Sequence, residues 1–456
     1  MVATPRLGAA VPPPYLTFNR GPSLASAFMD TAAALQQLYS LERFGIKLGL
    51  DNIRTLLGLV GNPHEGLKAV HVTGTNGKGS VCAYVASALQ RAGYRTGLYT
   101  SPHLVRFNER IQVDGVPVSD EDLLRLWNGV QPAMRQMDGE RAVNRPTFFE
   151  VTTAMAFEYF REQSVDVASI EVGMGGRFDA TNVIESLVAV VARVGLEHTE
   201  HLGRTVDRIA REKAGIIKPT SRAVTVDQEA LPVIEARCRE LGAPLTVVGR
   251  DVTVQRISQD LSGQRIRVRG DFGTLEVTTP LVGSFQVENV GLAVAALTEL
   301  RKAGLDVPDA AIVSGIAATR WPGRFQKLRD HPLVIVDGAH NGPAAAALAS
   351  AYSELFPGRK CLLVTGILAD KDLGSITASL GPLASRVVAC RPKSHRAYHP
   401  EEVASAFRRF APSEVVPSVA DAIDRALAEA GREDIVLITG SIYTAGEALD
   451  HLGARP

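Results

Sequence analysis

The sequence predicts an α/β protein built as two doubly wound parts with a small antiparallel piece between them, and three observations carry that expectation. An apolar strand opens into a Gly- and Lys-rich turn just before a helical pattern at Val70-His-Val-Thr-Gly-Thr-Asn-Gly-Lys-Gly-Ser80. Apolar runs alternate with helical stretches on both sides of a break at Arg320-Trp-Pro-Gly-Arg-Phe325. That rhythm is the signature of parallel strands joined by crossover helices. Between them, residues 243–281 are short, β-rich and punctuated by glycine.

Taken in order, residues 1–29 carry Arg6 and Arg20 without an acid and have Pro12, Pro13 and Pro14 in their middle. The prolines oppose an amphipathic targeting helix, so a disordered extension is expected; a start at Met29 would also account for the segment. From Asp30 the pattern turns helical. A strand at Lys68–Val72, a helix from Ser80 to Gly93 and a strand at Thr96–Thr100 make one parallel βαβ unit. Apolar runs at Val165–Ile170 and Leu187–Val194, with a clear helix at Thr147–Arg161, extend the same sheet. In the glycine-punctuated stretch, Arg265–Arg269 and Thr274–Thr278 fit a hairpin appended to this first domain, residues 30–319. After a helix near Gln286–Ala303, residues 320–330 read as a linker. Residues 331–456 then form a second, Rossmann-like domain with strands at Leu333–Val336, Cys361–Thr365, Arg386–Ala389 and Ile435–Thr439.

Composition narrows the class. Of 456 residues, 45% are hydrophobic, enough for more than one core. Lys plus Arg equal Asp plus Glu at 49 each, so no overall field favours nucleic acid. Cys82, Cys238, Cys361 and Cys390 are scattered, which argues for buried thiols in a reducing cytoplasm rather than a disulfide framework or thiolate metal cage. No apolar run is long enough for a membrane span, and no heptad seam argues against a monomer.

The glycine-rich turn reads as an anion cradle. Gly74, Gly77 and Gly79 bring backbone N–H groups up to a phosphate, with Thr75 and Asn76 between them. Lys78 supplies a full charge, and Ser80 offers a hydroxyl to a nucleotide's Mg²⁺. The spacing departs from G-x-x-x-x-G-K-[ST], yet the chemistry is retained. Glu171 ends a strand before Val-Gly-Met-Gly-Gly-Arg177, a position suited either to Mg²⁺ or to solvent. His198 reaches the same sheet edge and suits a metal or phosphate. Lys213 lies on the apolar stripe of a helix over Thr205–Ile217, with Val206, Ile209, Ala210, Ala214 and Ile217. A lysine there must snorkel, pair with a carboxylate, or lose its charge, for instance as a carbamate. In the second domain, Asp337 stands past a strand end where ribose hydroxyls bind, and Asn341 is placed to cap the helix that Pro343 begins. Asp370-Lys371-Asp372 and Gly440-Ser441-Ile-Tyr443 follow two more strands; they suit a small zwitterion or are solvated turns.

These residues together resemble the folylpolyglutamate synthase and bifunctional dihydrofolate synthase family of the Mur ligase superfamily. The resemblance rests on Arg43-Phe-Gly-Ile-Lys-Leu-Gly49, Val72–Ser80, Thr100-Ser-Pro-His-Leu104, Glu171–Arg177, Arg211-Glu-Lys-Ala-Gly-Ile-Ile-Lys218, Asp337–Asn341 and Thr439–Tyr443. It implies a Mur-ligase-like P-loop ATPase domain followed by a Rossmann-like glutamate-ligase domain, and ATP-dependent addition of L-glutamate to dihydropteroate or folate through an acyl phosphate. Carried over by position, Gly77–Ser80 resemble the ATP phosphate loop, with Ser80 and Glu171 on a first Mg²⁺. Glu171, His198 and a carbamylated Lys213 resemble the ligands of a second. Asn289, Arg324, Asp337 and His340 resemble nucleotide contacts, Ser101, Pro102, His103 and Leu104 a pterin-side loop, and Ser441, with Asp370 and Lys371, the glutamate side. Glu197 stands where many members have Asp, and Phe285 where many have His. A ligase acting on a nucleotide-linked muropeptide, and a P-loop switch without ligase chemistry, are the alternatives.

Overall fold

The computed structural model describes residues 30–45, 49–140 and 145–454. The extension expected over 1–29, and Ile46, Lys47 and Leu48 of the Arg43–Gly49 motif, lie outside the described residues. Three sheets organise the chain. The first has eight strands: β1 (Ala69–Thr73), β2 (Thr96–Tyr99), β3 (Ile111–Val113), β4 (Val116–Pro117), β5 (Val167–Glu171), β6 (Val188–Val191), β7 (Arg222–Val226) and β8 (Leu245–Val248). Their spatial order is β4-β3-β2-β5-β1-β6-β7-β8. Strands β2, β5, β1, β6, β7 and β8 run parallel, whereas β3 and β4 are antiparallel at one edge. Central β1 and β5 are buried at every position, as a sheet covered by helices on both faces requires.

Chain order reverses across β5, β1 and β6, so the crevice beyond their carboxyl ends is the topological switch point where ligands bind in such sheets. The phosphate loop, Glu171 and the segment after β6 all open there. Asp30 caps the first helix, Thr31–Ser40, accepting from the Ala33 amide at 2.7 Å.

The antiparallel piece is larger than the expected hairpin. It has three strands, β9 (Thr253–Asp260), β10 (Gly263–Gly270) and β11 (Gly273–Thr279), while Leu245–Val248 joins the first sheet instead. Ile266, Val268, Leu275 and Val277 bury into the same core as Val81, Val85 and Leu89 of the helix Lys78–Arg91, which holds this piece against the first sheet.

The second large sheet contains β12 (Gln326–Asp330), β13 (Leu333–Val336), β14 (Cys361–Thr365), β15 (Ala384–Arg391), β16 (Ser413–Ser418) and β17 (Ile435–Thr439), ordered β12-β13-β17-β14-β15-β16. All pairs are parallel except β12–β13. Helices cover both faces with separate cores, one around Leu348, Tyr352 and Phe407 and the other around Val419, Ile423 and Leu449. The four cysteines are free and buried. Among the described residues no helix is long and apolar enough to cross a membrane.

Candidate active site

The phosphate loop takes its shape from close approach. Gly77 has φ +90°, and a Cβ there would stand 2.4 Å from Asn289 Oδ1; one on Gly79 would stand 2.7 Å from the Trp321 ring. Side chains at either position would displace the loop from its walls. The helix Lys78–Arg91 begins with no side-chain cap, so its first N–H groups are left for an anion. Lys78 Nζ donates to the carbonyls of Gly74 at 2.9 Å and Thr75 at 3.1 Å, which folds the ammonium over the cradle. Thr75 anchors the loop to the segment after β6 through reciprocal bonds with Gly195, both 3.0 Å.

A cavity of about 510 Å³ joins this loop to both halves of the chain. Its lining includes Thr75 through Ser80, Ser101 through Leu104, Glu171, Glu197, His198, Asn289, Arg324, Asp337 and His340. Those are most of the residues singled out from sequence. Gly74 and Lys213 lie just behind the wall, joined by a 2.8 Å bond from Lys213 Nζ to the Gly74 carbonyl.

Lys213 does not snorkel: it is buried behind the cavity wall with a carboxylate beside it. Its side chain is 1% exposed, and Nζ makes a 2.7 Å ion pair with Glu197 Oε1. Burial lowers its pKa to about 8, against the opposing pull of Glu197. Burial would raise Glu197, but Lys78 and Lys213 hold it down at about 2. Glu171 is buried and raised by desolvation, with Lys78 opposing; its Oε2 accepts from the Ser101 amide at 3.2 Å. His198 sits in the left-handed region, φ 45° and ψ 41°, and burial lowers its pKa.

Among the described residues no group of three or more His, Cys, Asp or Glu side chains is arranged to hold a metal. Mg²⁺ does not need one: it takes one or two carboxylates, keeps several waters, and fills its remaining positions with phosphate oxygens. The buried Glu171 carboxylate and the Ser80 hydroxyl, both on the cavity wall, are hard oxygen donors of that kind. Gln286 Nε2 donates to Ser80 Oγ at 3.3 Å, and Asn289 Nδ2 donates to Gln286 Oε1 at 3.0 Å, so one helix fixes both the hydroxyl and the loop's outer wall.

On the second domain, Asp337 accepts from the Phe325 and Ala339 amides, both at 2.8 Å, which ties the linker to the end of β13. His340 Nδ1 donates to the Gly338 carbonyl at 2.9 Å; burial brings its pKa to about 4, so the ring is neutral and Nε2 is left as an acceptor. Ser101–Leu104 form a loop pinned by Glu109, whose carboxylate accepts the Leu104 amide at 2.7 Å and the Val105 amide at 2.9 Å. Beneath it, buried Arg110 donates Nε–H to His103 Nδ1 at 2.9 Å and lies over the Phe107 and Phe148 rings at 5.6 and 5.3 Å.

The glutamate-side assignments do not gather here. Ser441 is fully buried and caps the last helix, accepting from the Thr444 amide at 3.0 Å. Lys371 pairs with Asp370 at 2.9 Å outside the cavity lining, although its charge is felt at His198 and His340. Sequence reading did not single out Trp321, Glu109 or Arg110 as site residues. Trp321 had a signal, a large ring in the Pro-Gly linker; the other two did not, because their roles depend on a loop folding back.

Two family models match the chain: "Mur ligase middle domain" over residues 72–297 and "Mur ligase, glutamate ligase domain" over 323–442. A dihydrofolate synthase/folylpolyglutamate synthase of Bacillus subtilis is 35% identical, the match covering 88% of this chain and 94% of that protein. A probable bifunctional folylpolyglutamate synthase/dihydropteroate synthase of Haloferax volcanii is 39% identical over 92% of this chain, which spans 50% of that longer protein. Among solved structures, Mycobacterium tuberculosis folylpolyglutamate synthase complexed with ADP superposes with a TM-score of 0.86 at 34% identity, covering 94% of this chain and all of that one. E. coli FolC in complex with DHPP and ADP gives 0.83 at 33% identity, covering 93% and 99%.

Proposed function

The chain belongs to the folylpolyglutamate synthase/dihydrofolate synthase family of the Mur ligases, and on that footing we propose that it joins the amine of L-glutamate to a carboxylate of dihydropteroate or a reduced folate, converting ATP to ADP and phosphate. The observation that carries this reading is the single cavity in which the phosphate loop, the Ser101–Leu104 loop and the Asp337–His340 turn meet. A carboxylate has no adequate leaving group, so it must be activated, and the γ-phosphoryl group of ATP passing to it leaves an acyl phosphate that an amine can attack. Three anionic groups then share one site.

Each wall has a part in that chemistry. The N–H groups of the uncapped helix and the Lys78 ammonium hold the phosphates and offset charge as it develops. Glu171 and Ser80 would hold Mg²⁺, which supplies further charge neutralisation on the phosphate oxygens. Arg324 and Asp337 reach the cavity from the linker and the second domain, where a nucleotide spanning the two parts would meet them. The neutral His340 offers an acceptor nitrogen. For a second Mg²⁺ we assign Glu171, His198 and a carbamylated Lys213. Their setting imposes a condition: a carbamate in place of the ammonium would face Glu197, so a divalent cation must accompany the modification.

The test is phosphate release from Mg·ATP with L-glutamate, with dihydropteroate in one reaction and tetrahydrofolate in another. Glutamate-dependent release with both acceptors is expected; release with neither would return the reading to a muropeptide ligase or a nucleotide switch. In the same assay Glu171→Gln keeps the Ser101 amide bond but removes a charge, and we expect the Mg²⁺ concentration for half-maximal rate to rise about tenfold or more, as for loss of a metal ligand's environment. An unchanged Mg²⁺ dependence would remove Glu171 from the metal.

A further inference from the structure

Asn76 and Asn341 are 265 residues apart in sequence, and their side-chain amides bond each other directly beside the cavity. Asn76 Nδ2 donates to Asn341 Oδ1 at 3.3 Å, and Asn341 Nδ2 donates to Asn76 Oδ1 at 3.1 Å. The amide orientations are not free. Asn341 Oδ1 also accepts the Ala344 amide at 2.9 Å as the N-cap of the helix Gly342–Leu355. That cap turns Nδ2 of Asn341 toward Asn76, and only one orientation of Asn76 then answers with an acceptor opposite the donor and a donor opposite the acceptor. Among the described residues this is the one hydrogen-bonded contact from the phosphate loop to the second domain. Asn76 stands directly before Gly77 and Lys78, while Pro343 and Ala344, in the first turn of the capped helix, line the cavity opposite them.

We propose that this amide pair is a closure latch: Asn76 and Asn341 are positioning residues that set the N-terminus of the Gly342–Leu355 helix against the phosphate loop and so bring the second domain's contribution into register for turnover. The latch rests on the ligase reading for its kinetic consequence but not for its structural one. Neither amide needs to touch a reacting atom. With both polar ends of each amide engaged, the pair is lost as a unit, because an opened latch leaves each amide to water and the helix cap intact.

The discriminating substitution is Asn341→Ser, since serine caps a helix about as well as asparagine but is too short and lacks the amide donor to reach Asn76. Asn341→Asp, an equally good cap that retains at most one of the two bonds, is the second variant should the first be poorly folded. In N341S, kcat for glutamate-dependent ADP formation is expected to fall about tenfold or more, as for a small misplacement remote from the chemistry, while the Kd for AMPPCP and the thermal midpoint stay near wild type. Asn76→Ala with N341S should be no slower than N76A alone, since the two act as one device. Small-angle scattering with AMPPCP bound should give wild type a smaller radius of gyration than N341S. Wild-type kcat in N341S, multiplicative effects in the double variant, or a radius of gyration in N341S equal to that of wild type would each overturn the latch. Failure of wild-type protein to turn over glutamate would count against the ligase reading alone, because the scattering comparison reads the latch without catalysis.

Discussion

Replacing Lys78 with methionine should reduce glutamate-dependent phosphate release by about 10²–10³-fold, the usual cost of removing one preorganised electrostatic group from a reaction centre, and leave the fold in place. The two halves of that expectation come from different contacts. Nζ of Lys78 bonds only the Gly74 and Thr75 carbonyls of its own loop, so no distant element depends on it. Yet its charge lowers both Glu171 and Glu197, and without it the cavity gathers carboxylates and phosphates with less to oppose them. ATP affinity should fall as well, since methionine fills the space of the lysine stem without a charge. Steady-state rates with a melting curve separate the effects. Turnover within a fewfold of wild type would mean that the cradle is not where phosphoryl transfer occurs.

Lys78 was legible because local chemistry defines it: strand, glycines, cation and helix are contiguous. The same holds for β1, β5, β14 and β17, whose largely apolar runs announce a sheet covered on both faces. What escaped were elements with one dry face or none. Strand β9, Thr-Val-Gln-Arg-Ile-Ser-Gln-Asp, has no fully buried residue, and neither do the edge strands β12 and β16. Their pairing is decided by neighbours, not by their own periodicity.

The site divides on the same principle. Lys213 was readable as a buried cation from its place on an apolar stripe, but which carboxylate stands beside it, Glu197, was not. Ser441 illustrates the reverse. Its motif position points to substrate, while Ser-x-x-Thr before a helical stretch also fits an N-cap, and the buried hydroxyl bonds Thr444. Contacts such as Asn76 with Asn341, or Glu109 with the loop before it, depend on tertiary closure and carry no local pattern.

Removing Lys213 should separate structure from chemistry. Lys213→Ala leaves the Glu197 carboxylate, 14% exposed, beside an empty space, and breaking a fully buried pair from one side costs about 3–5 kcal/mol. The lower end is expected, because Lys78 still opposes the Glu197 charge. Adding Glu197→Gln removes the stranded carboxylate, so the double variant K213A/E197Q should recover much of the lost stability. It should not recover activity if Lys213 carries the carbamate assigned above, because neither neutral side chain supplies an anion to the cation. Chemical rescue then distinguishes the two states of the lysine. The space left in K213A admits a small molecule: acetate restoring part of the glutamate-dependent rate would mark the lost group as a two-oxygen anion, and methylamine restoring it would mark an ammonium. Rescue by methylamine alone, or activity returning with stability in the double variant, would make Lys213 a structural ion pair and withdraw the second metal site.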